Sequence, residues 1–127
     1  MKPLYTKDAP TPVGPYSQAI EHRGILFLSG QVPLDPVSQQ LVQGSIEAQT
    51  ERVLTNLRAV LVAAGSDFDR LLRVGVYLTD IAEFPRFNAV YERMLQGARP
   101  ARSTVQVAAL PLGAEIEIDA IAALSSD

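Results

Sequence analysis

Two segments of the chain carry side chains that could act on a small molecule. In Pro-Ala-Arg-Ser-Thr (residues 100–104), Arg102 stands near the start of a predicted strand, and its planar guanidinium can bind a carboxylate through two hydrogen bonds. In Gly-Pro-Tyr-Ser-Gln-Ala (residues 14–19), the proline favours an extended backbone, so we expect Tyr16 at the start of a strand, where its phenol can stack or hydrogen-bond. Both have a structural alternative: Arg102 could form an ordinary surface or interface ion pair, and Tyr16 could belong to a core or interface.

Composition excludes several other kinds of catalytic site. The chain has no cysteine and one histidine, so thiolate catalysis, cysteine-based metal sites and multi-histidine metal sites are ruled out. That histidine, His22, falls at a predicted turn among charged residues, and we expect it to be solvated. The sequence contains no Gly-x-Ser-x-Gly elbow, phosphate-binding glycine loop or metal-ligand spacing, so we expect neither a metal nor a cofactor.

The net charge and the first residues of the chain indicate which partners and which cell compartment to expect. The net charge is -3 at pH 7, and no lysine or arginine follows Arg102, which argues against a nucleic-acid partner. No stretch approaches the run of about 20 apolar residues that a membrane span needs. No apolar segment follows the first basic residues, so we expect no signal peptide. A single cytoplasmic domain over residues 1–127 is therefore expected, without a membrane or nucleic-acid partner.

Apolar periodicity and turn residues predict seven elements in the order β-β-α-β-α-β-β. The first helix is expected from its cap, Ser45, to Ala64 with Gly65 as the stop, and the second has Pro85 in its first turn and Gly97 as its stop. Such an α+β layout lets two helices cover one face of a sheet. The five strands are predicted at Tyr16–Ile20, Ile25–Ser29, Leu71–Thr79, Ala101–Val107 and Glu115–Ala122, with Gly24 at positive φ in the turn between the first two.

Alternation along the strands predicts which side chains share a face of the sheet. The helix-covered face is expected to take Leu72, Val74, Val76 and Leu78 together with Ile116, Ile118, Ala120 and Ala122. The uncovered face is expected to carry Gly75, Tyr77, Arg102, Glu117 and Asp119. A half-solvated antiparallel sheet is one interpretation. The mixture of aromatic, apolar and charged groups favours burial against copies of the same chain, so we expect a homo-oligomer.

Taken together, these segments resemble the RidA/YjgF family of reactive-intermediate deaminases. The similarity runs from about Ala9 to Leu124, and its specific part is Pro-Ala-Arg-Ser followed by Ile-Glu-Ile, which marks the family members with deaminase activity. The resemblance implies a chorismate-mutase-like α+β domain with a mixed β-sheet and two helices on one face, assembled as a homotrimer with clefts between subunits. The matching segments are Gly14–Ala19, Leu28–Pro33, Phe87–Glu92, Pro100–Val105 and Ile116–Ala122.

The resemblance also implies an activity, a 2-iminobutanoate/2-iminopropanoate deaminase. Such a hydrolase converts 2-imino acids and their 2-amino-enoate tautomers, which pyridoxal-phosphate enzymes release, into 2-oxo acids and ammonia. Arg102 would hold the substrate carboxylate, and Glu117 would activate water or pass a proton to the departing nitrogen. Many members carry cysteine where Thr104 stands, but a backbone contact from Thr104 to the substrate would be preserved. The remaining cleft residues would be Tyr16, Ser29, Gly30 and Asn88.

Two other functions stay open at the level of the sequence. The same arginine-lined clefts could bind a small carboxylate without catalysis, as a regulatory module. Some family members are described as RNA-cleaving translation inhibitors, but the acidic net charge and the single histidine make this alternative the weaker one.

Overall fold

Six strands form one mixed sheet in the computed structural model of the chain, which describes residues 1–124. Residues 125–127, which the predicted domain included, lie outside the described residues. The order across the sheet is β1-β2-β3-β6-β4-β5; β4 and β5 are parallel, and every other neighbouring pair is antiparallel. The strands are β1 Lys2–Leu4, β2 Ala19–His22, β3 Ile25–Gln31, β4 Leu71–Leu78, β5 Ala101–Gln106 and β6 Ile116–Ala123.

Two helices cover one face of this sheet, as predicted. Helix α1, Ile46–Ala63, begins at Ser45, whose side chain accepts a hydrogen bond from the backbone N–H of Ala48 at 3.1 Å. Helix α2, Phe84–Leu95, has proline in its first turn and ends where Gln96 and Gly97 take positive φ. Neither helix is both long and apolar enough to span a bilayer, within residues 1–124.

The hydrophobic core lies between these helices and the covered face of the sheet. Along β4 and β6 the pairs Val74–Ala120, Val76–Ile118 and Leu78–Ile116 are all buried and lie in register. The alternate pairs, Gly75–Asp119 and Tyr77–Glu117, occupy the uncovered face. The predicted alternation of the last strand is therefore confirmed. The predicted turn with Gly24 at positive φ is also confirmed; it is shorter than expected, since β2 runs to His22 and only Arg23 and Gly24, both at positive φ, connect the strands.

Leu72 was expected on the covered face, and this prediction is wrong. Leu71 pairs with Ala122 and Arg73 pairs with Ile121, so β4 carries one extra residue at a β-bulge. The bulge resets the alternation: Leu71 packs against the core, and Leu72 is 46% exposed.

Arg102 was expected on the uncovered face, and this prediction is also wrong. Strand β5 pairs in parallel with β4, so that Arg102 lies beside Val74 and Thr104 lies beside Val76, both of which face the helices. Alternation shows which residues of a strand share a face but does not show which face they occupy. Because β5 is an edge strand next to α2, an arginine there can be covered while staying open to solvent on one side.

The N-terminal segment differs from the prediction in two ways. Strand β2 begins at Ala19, so Tyr16 lies in the preceding loop and not in a strand. The buried side chain of Gln18 hydrogen-bonds to the backbone of Thr6 and Pro10, which packs the segment before β2 against the domain. Strand β1 was not predicted, since three residues are too few to show an alternating pattern. His22 is exposed at the end of β2, as expected.

Candidate functional site

A cleft of about 460 Å³ lies where β3 ends and β6 begins. It brings together four of the predicted site residues, although they come from three separate parts of the chain. They are Tyr16, Ser29, Gly30 and Glu117.

A β-bulge at the end of β3 shapes the floor of this cleft. Leu28 pairs with Ala120 and Gln31 pairs with Ile118, which leaves one extra residue on β3 between them. Within the bulge the Ser29 hydroxyl donates a hydrogen bond to the Ser17 carbonyl oxygen at 2.6 Å. A Cβ at Gly30 would overlap the Glu117 carboxylate. The carboxylate therefore fits against this bulge because Gly30 has no side chain.

Glu117 is half-buried on the uncovered face of β6. Burial raises its pKa above the ordinary value, and the negative charge of Asp119 adds to the rise. Asp119 in turn accepts a hydrogen bond from the Tyr77 hydroxyl at 2.9 Å, and this bond raises the pKa of Tyr77. A raised pKa brings a carboxyl group that borders a cleft closer to the range in which general acids and bases work.

Tyr16 lies at the rim of the same cleft and is exposed. Its hydroxyl accepts a hydrogen bond from the backbone N–H of Val13 at 3.4 Å, a long contact that a ligand can replace. The phenol is therefore available for hydrogen bonding to a bound molecule.

A second cleft, of about 350 Å³, lies between α2 and the edge strand β5. It contains Arg102, whose Nη1 donates a hydrogen bond to Oδ1 of Asn88 at 2.8 Å. The guanidinium carbon lies 4.7 Å from the centre of the Tyr91 ring, within range of a cation–π interaction. The ion pairs within residues 1–124 are formed by other arginines, namely Arg58, Arg86 and Arg93. Arg102 is thus held in position and open to an anionic ligand.

Two buried hydroxyl groups near Arg102 lack a hydrogen-bond partner among residues 1–124. They belong to Tyr91 and Thr104. Burial raises the pKa of Tyr91, and the positive charge of Arg102 opposes the rise. Tyr91 was not among the site residues predicted from the sequence. Its three-residue spacing from Asn88 was the signal for a site, because it sets both on one side of the helix.

The two clefts do not meet within one chain. Arg102 and Thr104 face the helices, whereas Glu117 pairs with Tyr77 on the opposite face of the sheet. The predicted site residues, together with Tyr91, therefore form two groups. We refer to Asn88, Tyr91, Arg102 and Thr104 as the arginine half-site, and to Tyr16, Ser29, Gly30 and Glu117 as the glutamate half-site.

Comparisons with known proteins give matches over nearly the whole chain. Residues 6–124 match the family model described as Endoribonuclease L-PSP. Protein DfrA of Myxococcus xanthus is 52% identical over 123 residues, which cover 95% of this chain and 94% of that protein. The 2-iminobutanoate/2-iminopropanoate deaminase of Mus musculus is 45% identical over 121 residues, or 95% and 90% of the two chains. The crystal structure of YyfA, a Rid-family protein from Yersinia pestis, has a TM-score of 0.94 at 44% identity and covers 97% of this chain and 98% of its own.

Proposed function

The chain belongs to the Rid family that the Endoribonuclease L-PSP model describes, and on this premise we propose that it hydrolyses reactive 2-imino acids to 2-oxo acids and ammonia. Arg102 carries this proposal. Its guanidinium is oriented by Asn88 and takes part in none of the ion pairs within residues 1–124, so it can receive a substrate carboxylate. The name of the mouse relative supports the substrate class.

The reaction needs only what the two half-sites supply. The carbon of an imine next to a carboxylate is already electrophilic, so water can add to it once substrate and water are positioned. Glu117 takes a proton from the attacking water as its oxygen bonds to the imine carbon, and returns this proton to the nitrogen to give a carbinolamine. It then takes the hydroxyl proton of the carbinolamine as the C=O bond forms and passes it to the nitrogen, so that the C–N bond breaks and ammonia leaves. A positioned carboxylate contributes typically ~10²–10⁴-fold as a general acid or base. Metabolic enzymes that form 2-amino-enoates, such as pyridoxal-phosphate dehydratases, would supply the substrate.

A second copy of the chain is needed to bring the half-sites together. We propose a homotrimer in which each cleft combines the arginine half-site of one subunit with the glutamate half-site of its neighbour. The uncovered face of the sheet supports this arrangement, because Phe27 on β3 is 47% exposed and Val105 on β5 is 45% exposed. Association of this kind, in which two different surfaces meet, closes into a ring when the rotations between neighbours add up to one full turn. The number three comes from the family resemblance.

Arg102→Ala provides the direct test of the proposed activity. 2-Iminobutanoate is generated with a threonine dehydratase, and its loss is followed with and without the protein. We expect the substitution to lower kcat/KM by roughly 10- to 100-fold, since a hydrogen bond to a charged group contributes about 1.5–3 kcal/mol. Arg93→Ala is the matched control, because that arginine forms an exposed ion pair with Glu51 and should leave kcat/KM unchanged.

The same experiment separates the proposed function from its alternatives. Wild-type protein that binds 2-oxobutanoate but does not accelerate imine hydrolysis would be a binding module. RNA offered at the same protein concentration is expected to remain intact, because no histidine lines the cleft around Arg102. Wild-type RNA cleavage that disappears in Arg102→Ala would contradict the proposed function.

A further inference from the structure

The cleft of the glutamate half-site has a polar floor and an apolar mouth. The floor is formed by Ser29, Gly30 and the Glu117 carboxylate. The rest of the lining also includes the polar side chains of Thr11, Gln18 and Gln31 but is largely hydrocarbon, from Pro10, Pro12, Val13, Val32, Leu34 and Leu112. We call its exposed part, formed by Val13 and Leu112, the apolar mouth. A cavity of about 460 Å³ is larger than the smallest imino acids require and falls within the range of small-molecule sites.

Leu112 is unfavourably placed for a residue whose role is only structural. It is 69% exposed, so most of its apolar surface faces water. Its backbone has φ +62° and ψ +15°, a left-handed conformation that suits glycine or asparagine better than leucine. Residues held in such conformations cluster at functional sites. Val13, 82% exposed, lines the same cleft.

We propose that Leu112 and Val13 form an apolar clamp that receives the substrate side chain and selects 2-imino acids with hydrocarbon side chains, such as those derived from leucine and phenylalanine. This inference rests on the proposed function. If the carboxylate binds Arg102 and the imine carbon faces Glu117, the third substituent of that carbon is the side chain, which then lies against the apolar mouth. Burial of its hydrocarbon there is favourable.

Charge disfavours the competing substrates. Glu117 lines the cleft, and Asp119 lies next to it on the same face of β6, so a substrate with an acidic side chain meets like charge. A hydroxyl-bearing side chain would lose its water against the apolar mouth without gaining a partner there. The expected order of kcat/KM is therefore hydrocarbon side chains first and acidic side chains last.

Substitution of Leu112 by Asn tests the clamp without loss of the fold, since asparagine tolerates positive φ. Imines are generated with an amino-acid oxidase from leucine, alanine and glutamate, and kcat/KM is measured for each. We expect Leu112→Asn to lower kcat/KM for the leucine-derived imine by about tenfold, as is typical for losing a hydrocarbon contact. The kcat/KM for the alanine-derived imine should stay within about twofold of the wild-type value, because its methyl group makes little contact with Leu112. Val37→Asn, at an exposed loop valine outside the cleft lining, should change neither value.

The outcomes distinguish this inference from the proposed function. If wild type accelerates all three imines equally, or Leu112→Asn changes the leucine and alanine values alike, the clamp is wrong and the deaminase is unaffected. If wild type accelerates none, the proposed function is wrong. The clamp is then tested by calorimetry. Wild type must bind 4-methyl-2-oxopentanoate more tightly than pyruvate, and this preference must be smaller in Leu112→Asn. Light scattering must show an unchanged mass, because dissociation would mean that Leu112 instead packs against a second copy.

Discussion

Glu117 differs from an ordinary surface glutamate in its burial and in its neighbour. Both burial and the charge of Asp119 disfavour the ionised carboxylate, so the pKa of Glu117 is raised. The titratable groups around it are the Asp119 carboxylate on its own strand, the Tyr77 phenol of β4, and Tyr16 across the cleft. The Arg73 guanidinium of β4 lies on the same face, close to Asp119. As a base Glu117 must be ionised, so activity is expected to fall as the pH drops through this raised pKa.

Asp119→Asn should extend the activity to lower pH. Removal of the negative charge lowers the pKa of Glu117, so the acid limb of the kcat/KM profile moves to lower pH. An asparagine oxygen can still accept the hydrogen bond from Tyr77, which keeps the local geometry. The profile is measured with 2-iminobutanoate, and Asp69→Asn, at an exposed carboxylate outside the cleft lining, serves as the control. An acid limb that stays in place would show that Asp119 does not tune Glu117.

Strands β3 and β4 each contain a bulge, and each bulge changes which side chains reach a face of the sheet. The bulge in β4 exposes Leu72 and places Arg73 on the uncovered face. The bulge in β3 brings Gly30 against Glu117, and this close approach defines the floor of the cleft. The glutamate half-site is thus a property of the paired strands and not of either strand alone.

Gly30→Ala tests this close approach. Gly30 does not have a positive φ, so alanine suits its backbone, and the expected damage comes from overlap with the Glu117 carboxylate. We expect kcat/KM to fall and the free energy of unfolding to drop by about 1–3 kcal/mol, as in other overpacked sites. In a Glu117→Ala background the same substitution should cost much less stability, as a double-mutant cycle from denaturant unfolding would measure. Equal costs in both backgrounds would contradict the overlap.

At the scale of the whole molecule, the two half-sites of one chain lie on opposite faces of its sheet. Arg102 lies under α2, and Glu117 lies on the face opposite to the one that α1 and α2 cover. A catalytic cleft that uses both residues therefore depends on association, and activity should be lost on dilution to monomers.

Mixing two inactive variants tests the shared cleft. As pure trimers of three 13.7 kDa chains, Arg102→Ala and Glu117→Gln are each expected to keep about a tenth of wild-type activity or less. After subunit exchange in an equal mixture, about one quarter of wild-type activity should return, because random assembly of a ring gives an intact pair at one cleft in four. The double variant Arg102→Ala/Glu117→Gln mixed with Arg102→Ala should stay inactive. No recovery in mixed trimers would mean that clefts are not shared between subunits.

The sequence was sufficient for features that depend on local interactions. Ser45 marked the start of α1, Gly24 marked the turn before β3, and alternation marked the two faces of β6. The family resemblance named the residues of both half-sites except Tyr91, and their roles in a shared site stay a prediction.

Tertiary structure alone decided the face on which Arg102 lies, the position of β6 between β3 and β4, and the two bulges. A two-residue period is unchanged when a strand is turned over, so it cannot assign a face. Strand order and bulges depend on pairing between residues distant in sequence, such as Tyr77 with Glu117. The opposition of the two half-sites across the sheet follows from that pairing, and it was visible only once the chain was folded.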